Sequence, residues 1–547
     1  MPTQTKTTPG EELDAVVVGA GFSGIYMLKR LRDAGFAARG YEAGKDVGGT
    51  WYWNRYPGAG SDSDSTVYCF SDLFSEELLR EWEWSERYPK QQEIHRYLRW
   101  VTDKLGLRKD IECNTRVTTA IYDDSRTRWD ITTETGKRVS ARYFIPATGA
   151  LSKPLIPNFP GLGSFQGECY HTARLPEQGL DYTNKRVAVI GSGATAVQIV
   201  PEVAKVAAFV WEFQRHPYHS IPARNHKLDK EDWQDIHACH KEIWEQARHT
   251  FGGFPYKDLD FDRVSHAFSP REQRRILEEA WLKGGFFLLF SGFADVFLDR
   301  EANRLYTDFL REKIAQIVHD PIIAAKLTPT ELFGTKRPPL EHGYYAAFNR
   351  DNVGLVDMRE TPIASITPKG IRTSAREYEV DIILLATGFD AYTGTLLDMD
   401  IQGREGRRLQ DKWSRTIEDY LGLMVHGFPN MFMLYNGPYN PAALVNGPTL
   451  IEQQGDWILT CLQYLRQNNV ATIEPRQEAE QRFVALHQGI AEATLIPQTA
   501  SWWTGTNVEG KQRTMLSWCG GFPGYKDLCD AATASNYAEC LLETNPD

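Results

Sequence analysis

Two glycine clusters in this chain have the spacing that binds a dinucleotide pyrophosphate. The first is Gly19-Ala20-Gly21-Phe22-Ser23-Gly24, after the apolar run Ala15-Val16-Val17-Val18. The second is Gly191-Ser192-Gly193-Ala194-Thr195-Ala196, after Val187-Ala188-Val189-Ile190. Each reads as a buried strand, a glycine turn, then a helix. Glycine lets the backbone turn tightly and lets a pyrophosphate approach the helix N-terminus, where free N–H groups and the helix dipole favour an anion. One such match is weak, because an ordinary strand-to-helix turn has the same look. Two in one chain point to two nucleotides brought together, and the usual reason is electron transfer between a flavin and a nicotinamide.

The elements around each turn sharpen the reading. After the first, a helix continues through Leu28 and Leu31, and a second strand ends at Tyr41-Glu42. Glu42 lies eighteen positions after Gly24, close to the spacing of a carboxylate that binds ribose hydroxyls. After the second turn comes the strand Ala208 to Phe213, then Gln214-Arg215. Its end offers a cation, which favours the 2′-phosphate of NADP over the bare hydroxyls of NAD. Glu212 is a poorer ribose ligand by strand alternation, and Lys336 is a second candidate cation. The cofactors read from this pattern are FAD as acceptor and NADPH as donor.

The organisation follows from these two units. The fold class expected is α/β, with two Rossmann-like dinucleotide-binding domains, the second inserted in the first. Residues 11–150 and 381–547 are read as a discontinuous FAD-binding domain, and 151–380 as the NADP-binding domain. A helical, charged stretch at about 227–327 is read as an insertion in the second domain. Pro154, Pro157 and Pro160, with Gly161 and Gly163, mark an extended connection. Two apolar strands close on Ala-Thr-Gly, at Ala147-Thr148-Gly149 and Ala386-Thr387-Gly388, and the second is taken as the return to the first domain.

Composition bounds the partners. A chain of 547 residues is too long for one core. Its net charge of -11 argues against a sequence-independent nucleic-acid binder. No apolar run approaches the roughly 20 residues that span a bilayer. Met1 to Leu13 is polar and reads as a short tail without a secretory signal. The eight cysteines form no CxxC pair, which argues against zinc, a disulfide framework or a flavin disulfide reductase, and fits a reducing cytoplasm. No metal and no protein partner is expected.

Further residues carry a family resemblance over nearly the whole chain. Gly49-Thr50-Trp51, then Tyr56-Pro57-Gly58 and Asp62, resembles the long signature of Baeyer–Villiger monooxygenases. The family's second signature is met at Phe165, Gly167, His171 and Pro176, with Leu175 where tryptophan is usual. The resemblance continues through Gly334-Thr335-Lys336-Arg337, Phe348-Asn349-Arg350-Asp351 and Thr499-Ala500-Ser501-Trp502.

The resemblance implies a flavin enzyme in which Gly49, Thr50, Trp51 and Asp62 lie at the flavin. It implies a catalytic arginine at Arg337, tuned by Asp62. It matches Arg215 and Lys336 to the ligands of the 2′-phosphate, and Trp502 to a mobile-loop tryptophan that reaches the nicotinamide. His216 stands where threonine is common. Ala442, Ala443 and Leu444 match a loop that lines the substrate pocket. The implied reaction passes hydride from NADPH to FAD, and reduced flavin takes up O2 as a C4a-peroxyflavin. This must stay an anion to attack a ketone carbonyl, and a fixed cation stabilises it. An ester or lactone results, and a hydrophobic ketone is the expected substrate. The alternatives are a monooxygenase acting on sulfur or nitrogen, and, further off, an NADPH oxidase or a redox sensor.

Overall fold

A computed structural model of the chain describes residues 11–256 and 262–544. Two sheets carry the two glycine turns. The first runs, edge to edge, through Asp400–Gln402, Val117–Asp123, Arg128–Thr133, Arg138–Pro146, Glu11–Val18, Ala38–Tyr41 and Ile111–Glu112. Glu11–Val18 is parallel to both its neighbours, pairing Val18 with Tyr41 on one side and with Pro146 on the other. Ala15, Val16 and Val17 are fully buried, as expected for a parallel strand covered on both faces. The strand begins at Glu11, so the end of the stretch read as a polar tail is instead ordered ladder. Residues 1–10 of that stretch lie outside the described residues.

The second sheet is all parallel, in the order Val353–Asp357, Phe209–Gln214, Arg186–Ile190, Ile382–Leu385 and Glu168–His171. One expectation is corrected here. By its sequence, the apolar strand Ile382–Leu385 belongs to the returning first domain, from 381 onward. It pairs instead with Arg186–Ile190, Leu385 opposite Ile190. The chain rejoins the first sheet later, at Asp400–Gln402 against Thr119–Ile121.

The charged stretch after Lys227 is helical, in Lys230–His249, Pro270–Lys283, Arg300–Ile317 and Pro321–Leu327. Pro270–Lys283 starts on a capping box, Ser269 accepting from the Glu272 N–H while the Glu272 carboxylate accepts from the Ser269 N–H. Its Ile276, Leu277 and Trp281 pack with Phe286, Phe309 and Phe333 in a core of their own. The helix Lys230–His249 departs from the reading as part of the second unit. Its Trp233 and Trp244 are buried in the core of the first sheet, and the Trp233 indole donates to the Trp84 carbonyl at 3.0 Å.

The segment around the second signature packs without its tryptophan. Leu175 is buried with Val187, Val197 and Leu384 in the core of the second sheet. His171 accepts from the Ala173 N–H at 3.1 Å and shares its other ring nitrogen with the Gly388 carbonyl at 3.0 Å. Burial pushes its pKa down to about 4, so it is a neutral structural residue that ties the connection to the second Ala-Thr-Gly.

Candidate active site

Each glycine turn is closed by one of the Ala-Thr-Gly strand ends. Gly19 has φ +110°, and a Cβ there would stand 2.6 Å from the Ala147 carbonyl oxygen. Gly191 has φ +125°, and its Cβ would stand 2.2 Å from the Ala386 carbonyl oxygen. Only glycine meets both demands at each place. The second Ala-Thr-Gly therefore completes the second cradle, and does not mark the return to the first.

The cradles fit dinucleotides. The helices Phe22–Asp33 and Ala194–Val203 start on Gly21 and Gly193 with no side chain capping either N-terminus. Their first N–H groups are thus left for a ligand. Gly193 has ordinary extended φ/ψ, and a Cβ there would meet only the Tyr218 ring, at 3.9 Å. The backbone does not require glycine at this point, and its absent side chain keeps the approach to the helix end open. In the first cradle, Gly49 packs on Gly21, where a Cβ would fall 2.8 Å from the Gly21 Cα. Glu42 is buried at its edge and accepts from the Ala20 N–H at 2.8 Å and the Gly44 N–H at 2.6 Å. Burial raises its pKa against these bonds, and each oxygen retains lone pairs for a hydroxyl.

Arg337 meets Asp62 across the fold. Nε donates to one carboxylate oxygen at 2.5 Å and Nη2 to the other at 2.9 Å. Nη1 donates to the Ala443 carbonyl at 3.1 Å, so the 442–444 loop reaches the same point. The guanidinium lies over the Phe286 ring, 4.6 Å from its centre. Burial works against the arginine charge, but Asp62 outweighs it, and the Arg337 pKa stands above its usual value. Three N–H donors are spent on these bonds, which leaves one on each terminal nitrogen.

Residues 14–217 match the family model described as flavin-binding monooxygenase-like. An acetone monooxygenase (methyl acetate-forming) from Gordonia sp. (strain TY-5) is 41% identical over 96% of this chain and 98% of its own. A phenazine N-monooxygenase from Lysobacter antibioticus is 38% identical over 97% of each chain. The crystal structure of cyclohexanone monooxygenase from Rhodococcus sp. Phi1 bound to NADP+ superposes with a TM-score of 0.95. It is 38% identical, covering 98% of this chain and 100% of that one. The chain belongs to the Baeyer–Villiger monooxygenases. It is a flavin-dependent, NADPH-using enzyme of the class that inserts one oxygen atom next to a ketone carbonyl.

In this Baeyer–Villiger monooxygenase the signature stretch joins the two cradles. Tyr56 donates to the Gln198 side chain at 2.9 Å, and a Cβ on Gly58 would stand 2.3 Å from the Gln198 carbonyl. Gln198 belongs to the helix that starts at Ala194, so Tyr56-Pro57-Gly58 rests on the second cradle while Gly49 rests on the first. Trp51 is buried, and its indole donates to the Tyr68 hydroxyl at 3.1 Å. Thr50 is exposed beside it.

The cations at the second cradle are arranged unequally. Arg215 is exposed at the end of its strand. Lys336 is ion-paired with Glu331 and lies 4.8 Å from the centre of the Tyr218 ring. Burial lowers the His216 pKa; Glu331 opposes the shift, and Lys336, Arg215 and Arg359 add to it, so His216 lies in the field of both cations. Glu212 is fully buried, accepts from the Tyr344 hydroxyl at 2.8 Å, and is raised by burial to about 8, so it is no ribose ligand.

Trp502 is half-buried and stacks on Tyr392, with ring centres 6.2 Å apart. Its neighbour Trp503 is fully buried core. The loop after them is tied to the residues following the second Ala-Thr-Gly, through Asn507 to the Phe389 carbonyl at 2.8 Å and Lys511 to Asp390 at 2.7 Å.

Three site residues carry no sequence signal. Phe286, under the guanidinium, lies in the aromatic helical stretch, where phenylalanine reads as ordinary core. Ser517 staples the pocket loop, accepting from the Ala443 N–H at 3.2 Å and donating to the Asn440 carbonyl at 2.8 Å. Tyr435 has φ +69°. Burial pushes its hydroxyl up to about 12, with Arg337 lowering and Asp62 raising it, so it lies in the field of the pair.

Proposed function

We propose that Arg337 is the catalytic cation and Asp62 its positioning partner, in an enzyme that converts a small hydrophobic ketone to an ester or lactone. The observation that carries this is the two-pronged Arg337–Asp62 contact, with the Ala443 carbonyl as its third anchor. Bound FAD, reduced by NADPH, supplies the oxygen-activating chemistry. The protein's part is electrostatic. Arginine stays charged at any working pH, and here it is fixed before the reaction begins. Its two remaining N–H donors are available to negative charge developing on oxygen. Asp62 holds the fork in one orientation and tempers its charge, while Phe286 covers one face.

The remaining assignments rest on the cradles. Gly19, Gly21, Gly24, Glu42, Gly49, Thr50 and Trp51 hold FAD. Gly191, Gly193, Ala194, Thr195, Arg215 and Lys336 hold NADPH, and Trp502 covers it from the loop beside Tyr392. Ala442, Ala443 and Leu444 line the substrate pocket. The FAD-binding domain then comprises 11–150 and the chain beyond about 390, with the NADP-binding domain between, except that the helix Lys230–His249 packs in the core of the first sheet. The unpaired cysteines favour residence in the cytoplasm. No helix among the described residues is long and apolar enough to cross a membrane.

The test is product mass spectrometry with FAD-loaded protein, NADPH and labelled O2. The substrates are cyclic, linear and aryl ketones together with a thioether and an N-heterocycle. One labelled oxygen in an ester or lactone is the expected result. The resemblance to a phenazine N-monooxygenase favours heteroatom oxygenation as the second reading. Sulfoxide or N-oxide without ester would establish it, and hydrogen peroxide alone would indicate an oxidase.

A further inference from the structure

The run Ser61-Asp62-Ser63-Asp64-Ser65 supplies a second aspartate, and it too holds an arginine. Asp64 accepts from Arg87 Nε at 2.9 Å, and both side chains are largely buried, at 16% and 14% exposure. Thr66 donates to the other Asp64 oxygen from its hydroxyl at 3.0 Å. Around Asp62, Ser61 Oγ accepts from the Ser63 N–H and donates to the Ser63 carbonyl, both at 3.0 Å, which closes a turn.

The two pairs repeat one arrangement. Arg337 lies over Phe286, and Arg87 lies 6.0 Å from the centre of the next ring, Phe287. Two adjacent aromatic residues thus each face one arginine, and each arginine is held by one aspartate of a single five-residue run. Arg87 does more than pair. Its Nη1 donates to the Lys283 carbonyl at 2.9 Å, at the C-terminal end of the helix Pro270–Lys283. A cation there complements the helix dipole.

The backbone around Arg87 bridges the same parts. The Arg87 carbonyl accepts from the Ser65 N–H at 2.7 Å, and its N–H donates to the His226 carbonyl at 3.0 Å. Tyr88 N–H donates to Asn225 at 2.9 Å, and a Cβ on Gly285 would stand 2.0 Å from the Tyr88 hydroxyl oxygen. The Arg87 segment therefore lies between the aspartate run and the stretch that carries Phe286.

We infer that Asp64 and Arg87 form a positioning pair that sets Asp62 and Phe286 relative to each other, and so fixes the guanidinium of Arg337. The inference rests on the catalytic role proposed for Arg337. Arg87 acts through its neighbours: its hydrogen bonds go to Asp64, the Lys283 carbonyl and the Ser65 and His226 backbone. Its loss frees the aspartate run and the Phe286 segment together, while both nucleotide cradles keep their own contacts.

The test uses FAD-loaded full-length protein with Arg87→Ala, Arg87→Lys, Asp64→Asn and Asp64→Glu. The first readout is hydrogen exchange at 62–66 and 284–290, which needs no substrate. The second is coupling, the ester formed per NADPH consumed. Arg87→Ala and Asp64→Asn are expected to speed exchange at least about tenfold in both segments. Coupling should fall at least about fivefold, with NADPH-driven flavin reduction within about threefold of wild type. Asp64→Glu, which keeps the carboxylate, restores both readouts. Arg87→Lys keeps the charge without the fork and falls between, and it carries the test if Arg87→Ala does not retain flavin. Unchanged exchange at 284–290, or loss of stability with coupling intact, overturns the inference. Absence of ester from the wild-type enzyme would instead count against the proposed reaction, while the exchange comparison would still decide whether the pair links the two segments.

Discussion

Arg337 and Asp62 stand 275 residues apart in the chain and meet through two parallel N–H···O bonds, at 2.5 and 2.9 Å. A bidentate contact of this kind fixes orientation as well as charge. With the Nη1 bond to the Ala443 carbonyl, it leaves the arginine one N–H on each terminal nitrogen, so the pair is a held cation with unspent donors.

Replacing that cation should separate reduction from oxygenation. Arg337→Ala is expected to keep NADPH-driven flavin reduction within a few-fold of wild type and to lower ester formation by about 100-fold or more. The NADPH consumed would then appear as hydrogen peroxide. Stopped-flow absorbance and product analysis read the two steps separately. Ester yield at the wild-type level would remove Arg337 from the mechanism.

Arg215 should discriminate between the nicotinamides. Its exposed guanidinium at the strand end suits a 2′-phosphate, and a charged hydrogen bond is worth about 1.5–3 kcal/mol. Arg215→Ala should therefore raise the KM for NADPH by about 10- to 100-fold and leave that for NADH nearly unchanged. Equal losses for both cofactors would show that this residue does not read the phosphate.

The two glycines of the second cradle should fail differently. Gly191→Ala places a Cβ 2.2 Å from the Ala386 carbonyl at φ +125°, so the fold itself must shift. A lowered unfolding midpoint is expected. Gly193→Ala meets nothing closer than 3.9 Å. Its midpoint should match wild type while NADPH affinity falls, because the added methyl occupies the path to the helix N-terminus. A Gly193→Ala variant with normal affinity would mean that the pyrophosphate does not lie there.

Glu452 should make stability depend on pH. It is buried and accepts from both the N–H and the hydroxyl of Ser71. Burial pushes its pKa up to about 7, from an ordinary value of 4.5. The folded state then holds the proton more tightly than the unfolded chain. Stability from this group is greatest below about pH 4.5 and is lost as pH rises toward 7, by roughly 3 kcal/mol in all. Glu452→Gln should flatten the unfolding midpoint between pH 5 and 8 relative to wild type. Parallel curves for the two proteins would contradict it.

Features set by neighbouring residues were legible in the sequence alone. A glycine turn between an apolar strand and a helix is specified within about ten positions, because φ/ψ limits and the period of side-chain burial act locally. Gly19, Gly191 and the carboxylate at Glu42 are readable from that, and so is the expectation of FAD with NADPH. The resemblance added Arg337 and Asp62 as a pair, and the structure added the two-pronged geometry and the third bond to the Ala443 carbonyl.

Contacts between distant segments were decided by the tertiary structure. Ile382–Leu385 is buried on both faces, and such a strand satisfies either parallel sheet equally well. Only its hydrogen-bonded neighbours, Arg186–Ile190 and Glu168–His171, assign it to the second. Phe286 is indistinguishable in sequence from the phenylalanines around it until the fold lays it under Arg337. The same holds for Arg87, an ordinary charged residue until the chain brings Asp64 and the Lys283 carbonyl to it. The physical reason is shared. Local geometry limits what each segment becomes, and partners hundreds of residues away are chosen by packing and by the need to satisfy buried charge.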